Sequence, residues 1–353
     1  MAVAHKKIII TGGAGFVGSH LAKYLFDNGR NLVLIDDLST GCRSNIEPLL
    51  LADPSRCCFI HGCADSVLAQ QPEVLHGADQ LYHLAASVGV MHVIGDPITM
   101  IRNNVEQTDA VLTAEASHGL TVLISSSSEV YGHNNNPPFR EDQALTYGPT
   151  TESRWAYGMT KALDEHLALA HHQSSRLGVV VVRLFNTIGP RQIGRYGMVA
   201  PRFVAQAVAG LPLEIFGDGR QTRCFCDVRD VVPNMAALID QPQHHGQIFN
   251  LGSDDEISIN ELADRVITLT GHQAGKRYLS YKQAYGQQIV DLQRRVPDLT
   301  KIKNAIGFKP AYSLDQTLHD MVTLAHQTTG RHGYCDTMTR PLSNPICSDK
   351  SEI

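Results

Sequence analysis

Several things are scarce in this 353-residue sequence, and each scarcity excludes a class of protein. Basic residues are not in excess: 30 Lys and Arg stand against 35 Asp and Glu, a formal net charge of −5, so nothing resembles the electrostatic footprint of a nucleic-acid partner. Apolar runs are short; none approaches the roughly 18 residues that a helix needs to cross a bilayer, and no membrane partner is expected. The first residues lack the apolar core of a secretory signal. None of the eight cysteines (42, 57, 58, 63, 224, 226, 335 and 347) forms a Cys-x-x-Cys pair, so no metal is expected, and a reducing cytoplasm suits the thiols. Cys224-Phe225-Cys226 alternates as a strand would, which puts both sulfurs on one face as small core groups.

What is present begins at Lys6. A β-branched run, Ile8-Ile9-Ile10, breaks into Gly12-x-x-Gly15-x-x-Gly18, a helical pattern (Leu21, Leu25) follows, and a second apolar run from Asn31 ends in Asp36-Asp37. In that context the glycines predict a dinucleotide cradle. Gly12 permits the tight turn, Gly15 lets backbone N–H groups approach a pyrophosphate, and Gly18 lets helix and strand pack closely. An acid at the end of the second strand accepts both adenosine ribose hydroxyls and repels a 2′-phosphate, so Asp36 predicts NAD rather than NADP.

Strand and helix patterns alternate to about residue 190, with strands expected at 6–11, 31–36, 57–61, 80–84, 120–126 and 178–184. Alternation of this kind predicts an α/β fold: a doubly wound parallel (Rossmann) sheet of about seven strands, covered by helices on both faces. Residues 1–190 are assigned to an NAD-binding domain. Residues 191–327 form a smaller C-terminal substrate lobe, interleaved with the end of the sheet through a helix near 198–210, a strand-like run at 222–228 and a helix near 258–270. Residues 328–353 lack periodicity and read as a tail or surface extension.

The chemistry concentrates in two segments. Tyr157 and Lys161 are four residues apart and share a helix face, where an ammonium favours the phenolate and equips Tyr157 to take a proton from a sugar hydroxyl. Ser125-Ser126-Ser127-Ser128-Glu129 ends a strand of the sheet, where ligands bind in open parallel folds. Ser127 is placed to hydrogen-bond the same hydroxyl, and Glu129 to move a second proton. The bland alternatives are a solvated serine loop and a carboxylate at a helix start.

Eight runs now stand in order: Thr11 to Gly18, Tyr82-His83-Leu84-Ala85-Ala86, Asn103-Asn104-Val105, Ser127 to Gly132, Tyr157-x-x-x-Lys161, Arg183-Leu184-Phe185-Asn186, Gly217 to Arg223 and Arg294 to Asp298. Together they resemble the extended short-chain dehydrogenase/reductases of the nucleotide-sugar epimerase, dehydratase and decarboxylase group, from residue 6 to about 320. The resemblance implies cofactor contacts at Gly12, Gly15, Phe16, Val17, Asp36, Asp37, Asp65, Leu84, Ala85, Ala86, Asn104, Tyr157 and Lys161, with Asn104 by the nicotinamide or near Lys161. It implies that Asn186 meets the substrate phosphates, that Arg223 and Arg295 neutralise the diphosphate, and that Leu213 to Phe216 line the base pocket. Salt bridges to Asp227 or Asp298 are the structural alternative for the two arginines. The resemblance also implies a homodimer, paired through helices near 104–118 and 157–175.

All members of the group begin by oxidising C4 of the sugar. Ser128-Glu129 resembles the UDP-glucuronate decarboxylases, where the 4,6-dehydratases resemble Asp-Glu and familiar 4-epimerases resemble Ala-Thr. The segments 153–157 and 285–297 resemble the decarboxylases too. NAD-dependent decarboxylation of UDP-glucuronate, by Tyr157, Lys161, Ser127, Ser128 and Glu129, is therefore the leading expectation; a 4-epimerase or a 4,6-dehydratase is the alternative. A non-catalytic NAD-binding regulator would be a different class, and the intact residues argue against it.

Overall fold

Ile8, Ile9 and Ile10 are all fully buried, which successive residues of a strand achieve only when both faces of the sheet are covered. Each contributes about 1.5–3 kcal/mol through burial of its side chain. The computed structural model of the protein describes residues 6–329 except 90–92, 94, 117, 195–196 and 287–290. Strand β1 (Lys7–Thr11) pairs in parallel with β2 (Asn31–Asp36) and β4 (Ala78–His83), and β2 with β3 (Cys57–His61). On the other side β4 pairs with β5 (Thr121–Ser127), β5 with β6 (Gly178–Leu184) and β6 with β7 (Gln247–Leu251). The result is a seven-stranded parallel sheet in the order β3-β2-β1-β4-β5-β6-β7. Its order reverses between β1 and β4, and that gap opens a crevice at the carboxyl ends of the strands.

The period of two sorts the side chains. Ile8, Ile10, Leu32, Leu34, Val180 and Val182 pack against Leu21 and Leu25 of α1 (Phe16–Asp27) and against Val231 and Met235 of the helix Val228–Ile239. Ile9, Val33, Ile35, Val122, Ile124, Val179 and Val181 face Val111 and Leu112 of α2 (Pro97–Ala116) and Ala168 of α3 (Ala156–Ser175). A separate core joins α4 (Val199–Val208), α5 (Ile259–Thr270) and α6 (Leu314–Thr329) through Phe203, Leu262 and Leu318. Ser258 and Glu261 start α5 with a reciprocal capping box, satisfying two N–H groups that the first turn would otherwise leave free.

Three expectations are corrected here. The run 222–228 is two short strands rather than one: Thr222–Cys224 pairs with Glu256–Ser258 and with Arg294–Arg295, whereas Cys226–Asp227 pairs with Thr187–Ile188. Cys224 and Cys226 are both buried, but in different small sheets. The run ends at Asp227 because its carboxylate accepts from Arg229 N at 2.7 Å and caps the next helix. Within Leu213–Phe216, Leu213 and Ile215 are fully buried in the second core, so only the alternate residues face outward. Helix α6 continues through Thr329, past the expected start of the tail, and residues 330–353 lie outside the described residues.

Candidate active site

A cavity of about 410 Å³ lies in the crevice, lined by Gly12, Gly15, Phe16, Val17, Asp36, Asp37, Leu84, Ala85 and Ala86 among others. Gly12 has φ +69°, and a Cβ there would come within 2.8 Å of Ala85 N; a Cβ on Gly18 would overlap the Gly12 carbonyl oxygen. Both positions therefore admit only glycine without moving backbone. Asp36 ends β2 with Oδ2 accepting from Ala14 N at 2.9 Å and Oδ1 from Leu38 N at 2.8 Å. Burial pushes its carboxyl above the ordinary carboxylate range, and those two N–H groups partly offset the push. Asp37 is held by the backbone and hydroxyl of Ser39. Asp65 lies beyond Cys63 and Ala64 of the cavity wall, with Oδ1 buried and without a partner. A glycine cradle and a fixed carboxylate at the end of β2 fit a dinucleotide with free ribose hydroxyls, as NAD has. Asn104 is not on the wall. It is buried, its Oδ1 accepts from Ser87 N at 2.7 Å and its Nδ2 donates to Thr160 Oγ1 at 3.3 Å, and its neighbour Asn103 lines the cavity instead.

A second cavity of about 310 Å³ adjoins the first, and Ser127 and Tyr157 line both. Ser127 closes β5, where its Oγ accepts from Glu129 N at 3.2 Å and so starts the turn Ser128–Tyr131. Tyr157, in the first turn of α3, shares a hydrogen bond with the Ser127 hydroxyl. Burial, then the charges of Glu129 and Asp164, push the phenol well above its usual range, and the Ser127 bond only partly offsets them. Lys161 does not supply the expected relief. It is buried, and its Nζ lies 3.0 Å from Asp164 Oδ2, one turn along the same helix.

Glu129 sits between two guanidiniums. Arg154 Nη1 is 2.7 Å from its Oε2 and Arg295 Nη1 is 2.7 Å from its Oε1. Burial alone would raise its pKa, but the two arginines outweigh burial and hold the carboxyl well below the usual carboxylate range. Glu129 is thus held as an anion between the two arginines. The three side chains together carry one excess positive charge.

Arg223 and Arg295 are register partners on adjacent parallel strands. Neither takes the acid the sequence offered. Asp227 binds Arg229, whereas Arg223 Nη2 contacts both oxygens of Asp291 at 2.9 Å and its Nη1 donates to the Thr222 and Leu292 carbonyls. Asn186, at φ +29°, donates to Cys224 O at 2.9 Å and lines the second cavity with Ser128 and Phe216. Among the wall residues, Arg202 and Tyr281 escaped sequence reasoning, while Tyr285 and Asp291 lay inside the segment 285–297 with no role given. Asp291 lies in that resembling segment, but nothing in the sequence names Arg223 as its partner. Arg154 stood in a quoted segment without a role, although its place three residues before Tyr157 puts it on the same turn.

Comparison with known proteins adds the chemistry of relatives. Residues 8–252 match the profile of the "NAD dependent epimerase/dehydratase family". A UDP-N-acetyl-alpha-D-glucosaminuronate decarboxylase of Bacillus cytotoxicus is 36% identical over 90% of this chain and 97% of its own. UDP-glucuronic acid decarboxylase 1 of Arabidopsis thaliana is 34% identical over 90% of this chain and 69% of its own. Among solved structures, a UDP-glucuronic acid 4-epimerase of Bacillus cereus, in complex with UDP-glucuronic acid and NAD, superposes with a TM-score of 0.78 at 29% identity, covering 91% of this chain and 99% of that one.

Proposed function

This chain belongs to the NAD dependent epimerase/dehydratase family, whose members are NAD-dependent enzymes, and on that premise we propose that it decarboxylates a UDP-linked hexuronate of the UDP-glucuronate type. The observation that carries the proposal is the Arg154–Glu129–Arg295 cluster beside Tyr157, an anion-attracting group at the end of the sugar pocket. Residues up to about 190 hold the cofactor, and residues 191–327 contribute most of the nucleotide-sugar pocket. NAD, when bound, takes the C4 hydride, returns it later, and brings a cationic ring that favours the Tyr157 phenolate. Tyr157 accepts the C4 hydroxyl proton, and Ser127 orients that hydroxyl from the other side of the junction. The ketone so formed lies β to the C6 carboxylate. CO₂ leaves as the electrons of the C5–C6 bond move into the ketone, the resulting enolate takes a proton at C5 from solvent water, and Tyr157 gives the C4 proton back as the ketone is reduced. Arg154 and Arg295 draw the carboxylate in, while the fixed charge of Glu129 limits their pull so that the carboxylate is held without being locked.

Elimination of water fits less well, since it needs an acceptor for the C5 proton and a donor for the C6 hydroxyl. Glu129 is already clamped as an anion, and Ser128 is no acid. Epimerisation at C4 remains the second reading, because the Bacillus cereus relative that binds UDP-glucuronic acid is a 4-epimerase. The decisive experiment incubates the enzyme with UDP-glucuronate, its 2-acetamido analogue and UDP-glucose, and weighs the products. Loss of 44 mass units from a uronate supports decarboxylation; an isomer of unchanged mass hands the case to the epimerase.

We further propose a cytoplasmic homodimer. The six described cysteines are free thiols, and Ile98 and Ile101 of α2 and Met159 and Leu163 of α3 are exposed apolar side chains on two helices that pack together.

A further inference from the structure

The second cavity has four guanidiniums on its wall, Arg154, Arg202, Arg223 and Arg295, facing two carboxylates, Glu129 and Asp291. The excess of two positive charges matches the charge of a nucleoside diphosphate ester. The excess is not evenly available. Arg154 and Arg295 share Glu129, and Nη1 and Nη2 of Arg223 are engaged by two backbone carbonyls and Asp291. Arg295 Nε is buried without a hydrogen-bond partner, and Arg202 goes further: it forms no ion pair among the described residues, and both its Nε and Nη1 are buried without partners.

The fold holds this unpaired cation deliberately flat. Arg202 stands in the first turns of α4, directly after Pro201, and its guanidinium carbon lies 3.7 Å from the centre of the Phe216 ring. Phe216 is itself braced edge-on by Tyr285 at 5.3 Å, and Tyr285 stacks with Tyr281 at 6.4 Å. The carboxylate of Glu214 acts on Arg202 less than the Tyr285 phenol does, and is paired with Arg277 on the neighbouring strand. A ring face satisfies the plane of a guanidinium and leaves its N–H edge unfilled, and an unfilled buried N–H costs free energy until something accepts from it. Burial pushes the guanidinium down to about 10, the mark of a charge that lacks its counter-ion.

We propose that Arg202 is the diphosphate anchor of this pocket, its N–H edge taking the phosphate oxygens of the nucleotide sugar while Phe216 holds its plane. The assignment rests on the nucleotide-sugar function proposed above. It adds a diphosphate contact to those expected of Arg223 and Arg295, with Arg223 also tied to Asp291.

Titration calorimetry on the NAD-loaded full chain tests this with UDP, UMP and uridine as probes, against wild type, Arg202→Met and Arg202→Lys. Arg202→Met is expected to weaken UDP by roughly 10- to 100-fold, the span of a charge-assisted hydrogen bond, and to leave uridine within twofold. Arg202→Lys, which keeps the charge and loses the fork, recovers part of the UDP affinity. Unchanged NAD content in both variants reports an intact fold. UDP binding by Arg202→Met within threefold of wild type overturns the anchor and leaves the nucleotide-sugar function standing. An equal loss for uridine and UDP also overturns it, since Arg202 would then serve the nucleoside. Failure of the wild type to bind UDP overturns the anchor together with the function beneath it.

Discussion

Lys161 Nζ lies 3.0 Å from Asp164 Oδ2 with both side chains out of solvent, so the ammonium one turn from Tyr157 answers first to an acid of its own helix. Thr108 of α2 donates a further hydrogen bond to that acid. The charge of Asp164 is one of those that push the Tyr157 phenol up. Asp164→Asn removes it and frees Lys161. The pH profile of kcat is then expected to move its Tyr157 limb to lower pH by about one unit, as one nearby charge does. A limb that stays in place counts against coupling of the two groups.

Replacing Tyr157 by Phe leaves the ring packing and removes the base. Every product of C4 oxidation is expected to fall together, by about 10²- to 10⁴-fold, while NAD still binds. Mass spectrometry of the product pool checks this, and selective loss of one product would contradict it.

Glu129→Gln strips the counter-charge from two buried arginines. The variant is expected to lose roughly 3 kcal/mol of stability near neutral pH, the cost of breaking a buried ion cluster. Because the folded carboxyl is held below its unfolded value, the stabilisation is complete above the ordinary glutamate range and is lost as pH falls through that range toward the folded value. Urea unfolding at a series of pH values should therefore show the wild type and variant converging in acid. With a uronate substrate the variant is also expected to accumulate absorbance at 340 nm while CO₂ release declines at least tenfold, separating oxidation from the step that follows.

Asp36 accepts two backbone N–H groups and presents its charge to the cradle. Asp36→Asn is expected to weaken NAD and to narrow the preference over NADP by at least tenfold, because a 2′-phosphate no longer meets a carboxylate. Fluorescence titration with both dinucleotides reads the ratio.

Leu163 on α3 is 46% exposed, beside Met159 at 40%. If α2 and α3 form the dimer face, Leu163→Glu buries a charge against its own image and should convert the particle to a monomer in light scattering. A wild type that is already monomeric at micromolar concentration removes this interface.

The parts of the molecule legible in advance were those where the chain speaks locally. Ile8-Ile9-Ile10 before Gly12 announces a buried parallel strand, and Asp36 announces its own place, because both are consequences of period and turn geometry. The strand Gln247–Leu251 escaped because polar Gln247 and Asn250 blur its pattern; Asn250 is buried through hydrogen bonds to Phe139 O and Tyr131, more than a hundred residues away. The ion pairs escaped for the same reason. Nothing near Arg295 in sequence names Glu129 as its partner, and nothing near Arg223 names Asp291 as against Asp227, because those choices are made by strand register.

Strand β7 has a consequence for anyone recombining such enzymes. It reaches the sheet only after the chain has built α4 and the strand Leu213–Phe216 of the other core, then completes the edge beside Val180 to Leu184. A cut at residue 190 would expose the backbone of β6 as a bare, sticky border, inviting self-association. The halves are thus not interchangeable cassettes: a transplant of sugar preference must carry residues 228–251 across the seam, or the recipient inherits a new pocket and an unfinished sheet.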